Sequence, residues 1–169
     1  MEVKESSKKK DIASAKEYIF RVLKVRMYAS FELIRKLEQR GYNNKIIKEV
    51  LRYFKGLGFV DDKQFTRLWL SSRLKKPLGF RRLKFELKRK GIKEELVESS
   101  VKKLKKDYDE YSVVKHLTIQ RLKRLKGLEP LKIKKRLFSY LVGRGFSLDV
   151  IIEVLAGLSK LKEAENTQG

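Results

Sequence analysis

A leucine, a second leucine four residues later and a glycine four residues after that recur three times in this chain: Leu33, Leu37 and Gly41; Leu83, Leu87 and Gly91; Leu137, Leu141 and Gly145. Counted forward from each glycine, positions +5, +6, +9, +10 and +13 read Ile46, Ile47, Val50, Leu51 and Phe54, then Leu96, Val97, Ser100, Val101 and Leu104, then Val150, Ile151, Val154, Leu155 and Leu158. Ser100 is the single break. Apolar residues at i, i+1, i+4, i+5 and i+8 line one face of an α-helix, and a glycine that can adopt the left-handed conformation ends the helix before it. The pattern predicts an all-α chain built as a tandem array with a period of about fifty residues. Arrays of this kind offer long surfaces to large partners.

Each period has room for three helices. The first repeat, residues 12–60, is expected to hold helices at 13–26, 30–40 and 44–57, with Tyr18, Ile19, Val22 and Leu23 facing inward and with Ser30 and Asn43 as N-caps. The second, residues 61–106, opens on Asp61, which stands three residues before Gln64 at capping-box spacing. Its first helix is expected to bury Phe65, Leu68 and Trp69, and Pro77 and Gly79 interrupt the chain before the second. The third, residues 107–158, is read as helices from 109 to 126, around Ile133, Leu137 and Leu141, and from 148 to a close near Gly157. Residues 1–11 read as a disordered basic arm and 159–169 as a flexible tail. Three tandem three-helix repeats are the expected fold, with no strand pattern competing.

The 169 residues carry a formal charge of +22, contain no cysteine and hold a single histidine, His116. Disulfides, Fe–S clusters and Cys-type zinc sites are thereby excluded, and one histidine cannot form an all-histidine metal site. No apolar run approaches the ~20 residues of a membrane span, and the first ten residues lack the apolar centre of a signal peptide. A cytoplasmic protein without membrane association is expected. The charge is too large for ordinary solubility and points to a polyanionic partner. It is densest in the middle repeat, where 16 Lys and Arg face 6 Asp and Glu. A charge-rich thermophile surface is the plainer reading, but such surfaces mix both signs.

There is no phosphate-binding glycine loop, no HExxH and no plausible nucleophile–histidine–carboxylate set, so no catalytic residue, metal site or cofactor is expected. His116 reads as a surface or half-buried helix residue. Asp61 and Asp62 fit a helix start better than a Mg²⁺ site, which needs more carboxylates. Trp69, four residues after Phe65, reads as core rather than as a base-stacking platform. Phe85 lies on the opposite side of its helix from Leu83 and Leu87, on a basic face; packing against a neighbouring repeat is the reading preferred there over exposure, because buried aromatics outnumber exposed ones.

That basic face is the candidate binding surface. Arg81, Lys84 and Lys88 fall at i, i+3 and i+7, Arg82 and Arg89 form a second row, and Arg73, Lys75 and Lys76 precede them, with few acids facing the run. Lys132, Lys134, Lys135 and Arg136 recur at the matching place in the third repeat. Two such clusters one repeat apart would follow a long polyanionic groove.

Taken together, RMYASFEL at 26–33, KLEQRGY at 36–42, GFVDDKQF at 58–65 and GFRRLKFELKRKGI at 79–92 resemble the RecX family of recombinase regulators. So does Ser72, Arg73 and Leu74 before the Pro/Gly turn. The resemblance spans residues 13–158 and marks Ser30, Leu33, Leu37, Gly41, Asp61, Asp62, Phe65, Gly79, Leu83, Leu87 and Gly91 as structural signature positions. Thr66 departs from it, since the family usually has alanine there. The resemblance implies an elongated, curved array of three-helix repeats without enzymatic activity. It implies a monomer whose target is the filament that RecA forms on single-stranded DNA. Family members lie in the filament groove and bridge protomers, blocking growth, strand exchange, ATP hydrolysis and assisted cleavage of the SOS repressor; some bind DNA directly. Single-stranded and double-stranded DNA are thus further candidate partners.

On this reading the basic faces of the middle and third repeats meet acidic RecA surface and exposed phosphate, and charge reversal at Arg81, Arg82 and Lys88 is the first test to suggest itself. The alternative is a general DNA-binding protein with no dedicated protein partner. Salt separates them: phosphate binding on single strands weakens with a log–log slope of about −0.7 per contact, so about −3.5 for about five contacts. A basic membrane-surface or RNA-associated protein ranks last, for want of an exposed segment pairing bulky apolar residues with lysine.

Overall fold

In the computed structural model, which describes residues 11–125 and 127–167, the chain runs through α1 (Ile12–Leu23), α2 (Ser30–Gln39), α3 (Asn44–Gly56), α4 (Asp62–Arg73), α5 (Phe80–Arg89), α6 (Glu94–Leu104), α7 (Glu110–Leu122), α8 (Pro130–Gly143) and α9 (Leu148–Thr167). No strand occurs among the described residues. The all-α, tandem three-helix expectation holds. The chain divides into two compact units: residues up to Leu68 with Arg89–Lys93, and Trp69–Lys88 with the chain from Glu94 onward. The middle triplet contributes to both.

In the first unit α1 and α2 pack on α3. The core is Ala15, Ile19, Leu33, Leu37, Ile47, Val50 and Phe54, most of them positions picked out by periodicity. The helix-ending glycines behave as their spacing demands. At the end of α2 the Gly41 N–H donates to Glu38 O (2.8 Å) and the Tyr42 N–H to Leu37 O (3.1 Å), with Gly41 at φ 76°. This pair of bonds absorbs carbonyls that a helix end otherwise leaves unpaired. The same pair closes α8, from Gly145 to Val142 O (2.9 Å) and from Phe146 to Leu141 O (3.3 Å).

Helix starts differ from expectation in one instructive place. Asn43 caps α3, its Oδ1 accepting from Ile46 N at 3.0 Å. Ser30, expected as a cap, is instead the first residue of α2; Ala29 holds the N-cap position and offers no side-chain oxygen. The missing acceptor comes from another repeat: Asp62, on α4, accepts from Ser30 N at 2.7 Å. The Ser30 hydroxyl is buried without a partner. Asp61 caps its own helix by accepting from Lys63 N (2.7 Å) and Gln64 N (3.2 Å). Thr66 is fully buried, and its hydroxyl donates to Asp62 O at 2.7 Å, which satisfies the extra polar atom in the alanine place.

Glu32 completes this corner. Its carboxylate accepts from Ala29 N (3.2 Å), Arg26 (3.1 Å) and Lys90 (2.7 Å). Burial pushes the Glu32 carboxyl up, but the hydrogen bonds from Arg26, Lys90 and Ala29 outweigh it and hold it below the ordinary value of 4.5. Glu86 in the second unit is held low in the same way, burial opposing and Arg82 and Arg73 prevailing. A carboxylate with a lowered folded-state pKa contributes stability that is complete above its unfolded value and is lost as pH falls through the folded one. Acid titration of stability should therefore show a decline that begins near pH 4.5 and continues below it. Glu32→Gln and Glu86→Gln should each flatten the decline, as read by denaturant midpoints across that range.

In the second unit α7, α8 and α9 pack on one another around Val114, Leu137, Leu141, Phe146, Ile151 and Val154. The cross-repeat cap recurs. Glu110, the first residue of α7, is only 6% exposed; its Oε1 accepts from the N–H of Phe80, the first residue of α5, at 3.0 Å, and its Oε2 from the Ser147 hydroxyl at 2.5 Å. Backbone meets backbone beside it: Gly79 N donates to Arg144 O (3.1 Å) and Arg81 N to Gly145 O (3.0 Å).

Other expectations are corrected. Helix α1 stops at Leu23, short of Arg26, which turns over the Tyr28 ring (3.5 Å) and pairs with Glu32. Helix α7 ends at Leu122, and Gly127, at φ 84°, lies in the turn that follows. Leu68 is 51% exposed, and Leu70 is buried instead. Helix α9 does not close near Gly157 but runs on to Thr167, since Gly157 keeps a negative φ and good helix formers follow it. The stretch read as a tail is thus helical in its backbone up to Thr167. The arm read at 1–11 lies outside the described residues except for Asp11, which caps α1 through Ser14 N (2.9 Å).

Candidate functional site

Four of the eight candidate cations of the middle repeat, Arg73, Arg82, Lys84 and Lys88, sit in ion pairs. Arg73 and Arg82 both reach Glu86, at 2.5 and 2.7 Å; Lys84 reaches Glu98 at 2.6 Å and Lys88 reaches Glu94 at 2.7 Å. The hydrogen bond from Lys84 holds the Glu98 carboxyl below its ordinary value. The expected stripe facing few acids is therefore corrected: it is interleaved with glutamates drawn from α5 itself and from α6. Lys132 likewise pairs with Glu129 at 2.9 Å. Pairs that reach into solvent contribute little to stability, but each sets a negative charge beside its cation.

What remains is a shorter set. Lys75, Lys76, Arg81, Lys134, Lys135 and Arg136 are exposed and form no ion pair among the described residues. All six lie in the second unit. Arg89 is exposed too, but it has contacts of its own. Phe85 is 52% exposed with the Arg82 guanidinium 6.0 Å from its ring centre, which corrects the packing reading. Trp69 is half-buried, with Arg73 5.4 Å from its ring centre.

Sequence reasoning missed a second group of cations, Arg121, Arg124 and Arg144, which join Lys76 around a cleft of about 350 Å³. Nothing in their spacing announces them, since they come from α7, from the turn that follows it and from the turn after α8. A second concavity of about 550 Å³ is lined by Lys105, Lys106, Asp107, Tyr108 and the start of α7, where charges of both signs meet. The second unit thus has concave surface that the repeat pattern alone does not suggest.

His116 is exposed and its Nε2 lies 2.8 Å from the Gln120 amide, as expected of a surface helix residue. Asp61 and Asp62 are both engaged with backbone N–H groups. Among the described residues no group of three or more His, Cys, Asp or Glu could hold a metal ion, and no helix is long and apolar enough to cross a membrane.

Three consecutive helix triplets, with cross-repeat caps and with exposed, unpaired cations in the second unit, define an all-α tandem-repeat protein. The particular family follows from its relatives. The family models described as the first, second and third three-helix domains of RecX match residues 15–54, 61–100 and 107–155. A regulatory protein RecX from Chlorobium limicola is 32% identical over 154 residues, covering 90% of this chain and 94% of that one. One from Mycobacterium sp. (strain KMS) is 37% identical over 152 residues, covering 85% and 82%. A crystal structure of RecX from Lactobacillus salivarius shares the fold, with a TM-score of 0.77 at 19% identity over 88% of this chain and 97% of that one. The chain belongs to the RecX family of regulatory proteins.

Proposed function

We propose that this protein regulates homologous recombination and the SOS response by binding, as a monomer, the groove of the RecA filament on single-stranded DNA. Bound there it inhibits filament extension, ATP hydrolysis, strand exchange and coprotease activity. It does so by occupying surface and not by chemistry of its own. The observation that carries this reading is the ordered match of all three RecX domains along the chain, at 32% identity over 90% of it to a protein named for regulation. The unpaired cations support it, because a nucleoprotein groove presents phosphate and carboxylate to such a surface.

The pairing pattern chooses the residues to test. Reversing Arg82 or Lys88 would break intramolecular pairs with Glu86 and Glu94, mixing folding with binding. Arg81, Lys134, Lys135 and Arg136 carry no such pair among the described residues. Changing these four to glutamate should raise the concentration needed to half-inhibit RecA-dependent ATP hydrolysis on single-stranded DNA by at least about tenfold, with the far-UV helical signal unchanged. Unchanged inhibition would remove these cations from the interface. An unmodified protein that does not inhibit at all, at substoichiometric or excess ratios, would end the filament reading.

A further inference from the structure

The cleft between α7, the turn after α8 and the loop before α5 gathers four cations, Lys76, Arg121, Arg124 and Arg144, and no carboxylate lines it. None of the four forms an ion pair among the described residues. This contrasts with α5, where Arg82, Lys84 and Lys88 each have a glutamate. Two of the guanidiniums are held in place by neutral groups. Arg144 is half-buried, donates to Pro77 O at 3.0 Å and stands 4.8 Å from the Tyr140 ring centre. Arg121 stands 4.4 Å from the centre of the same ring, so the two guanidinium carbons lie no more than about 9 Å apart. Like charges positioned this closely repel, and nothing lining the cleft offsets them.

Arginine is a planar fork of donors matched to a tetrahedral oxyanion, and it stays charged at any accessible pH. Held against an aromatic ring, it loses little further freedom on binding. A volume of about 350 Å³ lies within the range of small-ligand sites and suits a phosphate group with part of what it is attached to. We propose that this cleft is a phosphate-binding site, with Arg121 and Arg144 as the positioned donors and Arg124 and Lys76 as flanking charge. The phosphate comes either from the backbone of a nucleic acid strand or from a free nucleotide. The assignment depends on the cleft's own charge and geometry and would survive failure of the filament reading.

Calorimetric titration of the 169-residue chain with pyrophosphate tests it. One saturable site is expected, weakened at least about tenfold in the Arg121→Gln/Arg124→Gln variant and by a smaller factor in Arg124→Gln alone, where the exposed position leaves folding untouched. Lys45→Gln/Lys48→Gln on α3 makes the same charge change elsewhere and should leave the site intact. Displacement of pyrophosphate by a short oligothymidylate identifies a strand as the source; displacement by ATP but not by the oligomer identifies a free nucleotide. Absence of a saturable site, or equal weakening in the two double variants, overturns the proposal. A cleft variant that loses pyrophosphate yet still inhibits RecA would sustain the site and separate it from the filament contact.

Discussion

Gly79→Ala should strongly destabilise the second unit and shift its unfolding to a much lower denaturant concentration than in the parent chain. A Cβ at Gly79 would lie 2.2 Å from the carbonyl carbon and oxygen of Gly145 and from Cα of Phe146. All three are backbone atoms, so no side chain can rotate away. Relief requires lifting the start of α5 off the turn between α8 and α9, which breaks the bonds from Gly79 N to Arg144 O and from Arg81 N to Gly145 O. Overpacking costs about 1–3 kcal/mol and each lost backbone bond about 1, so the total is about 4 kcal/mol, against a typical domain stability of about 5–15. Gly157→Ala is the counterpart. It sits inside α9 with nothing within 4 Å of its added Cβ, and should stabilise by about 0.5–1 kcal/mol. Denaturant unfolding followed by far-UV circular dichroism reads both. Similar stability for Gly79→Ala and the parent would mean that the two backbones do not approach as described.

The second large effect is expected at Glu110. Removing its carboxylate in Glu110→Ala leaves the Phe80 N–H and the Ser147 hydroxyl without their acceptor. The Phe80 donor is buried, and an unpaired buried donor costs about 1–3 kcal/mol. With the smaller loss at half-buried Ser147, about 2–4 kcal/mol is expected. Glu110→Gln retains an acceptor for Phe80 and a group that Ser147 can meet, so it should cost only about 1, mainly through the lost interaction of a negative charge with the start of α5. Chemical denaturation gives the totals, and amide exchange at Phe80 locates the effect. An alanine variant as stable as the parent would refute the capping role.

Glu110 also marks the limit of what sequence reading reached. Its neighbour Asp109 caps α7 in the ordinary way, accepting from Ser112 N at 3.1 Å, and capping residues next to a helix pattern are legible. Glu110 looks like one more first-turn acid. That it serves a different helix, thirty residues back, appears only when α7 is laid beside the start of α5. Asp62 and Ser30 repeat the case across 32 residues, and there local reasoning chose the wrong cap. Ser30 has the right chemistry one residue too late.

The candidate surface divides in the same way. Helical spacing placed Arg81, Lys84 and Lys88 on one flank, and that arithmetic stands. Lys84 and Lys88 nevertheless lose their field to Glu98 and Glu94, which are near in space because α5 and α6 turn back on each other at Gly91. Arg121 and Arg144, by contrast, carry no signal in the sequence that sets them apart from the many other cations, yet Tyr140 and Pro77 hold them beside a cleft without acids.

By itself the sequence determined the helices, their order, their threefold recurrence and their glycine ends. These depend on backbone conformation and on apolar spacing within a few turns, both of which are local properties. The tertiary structure alone decided which acid caps which helix, which cations are paired with an acid and where a cleft opens. Those outcomes depend on groups brought together from as far as 67 residues apart, at distances where one ångström separates a bond from none.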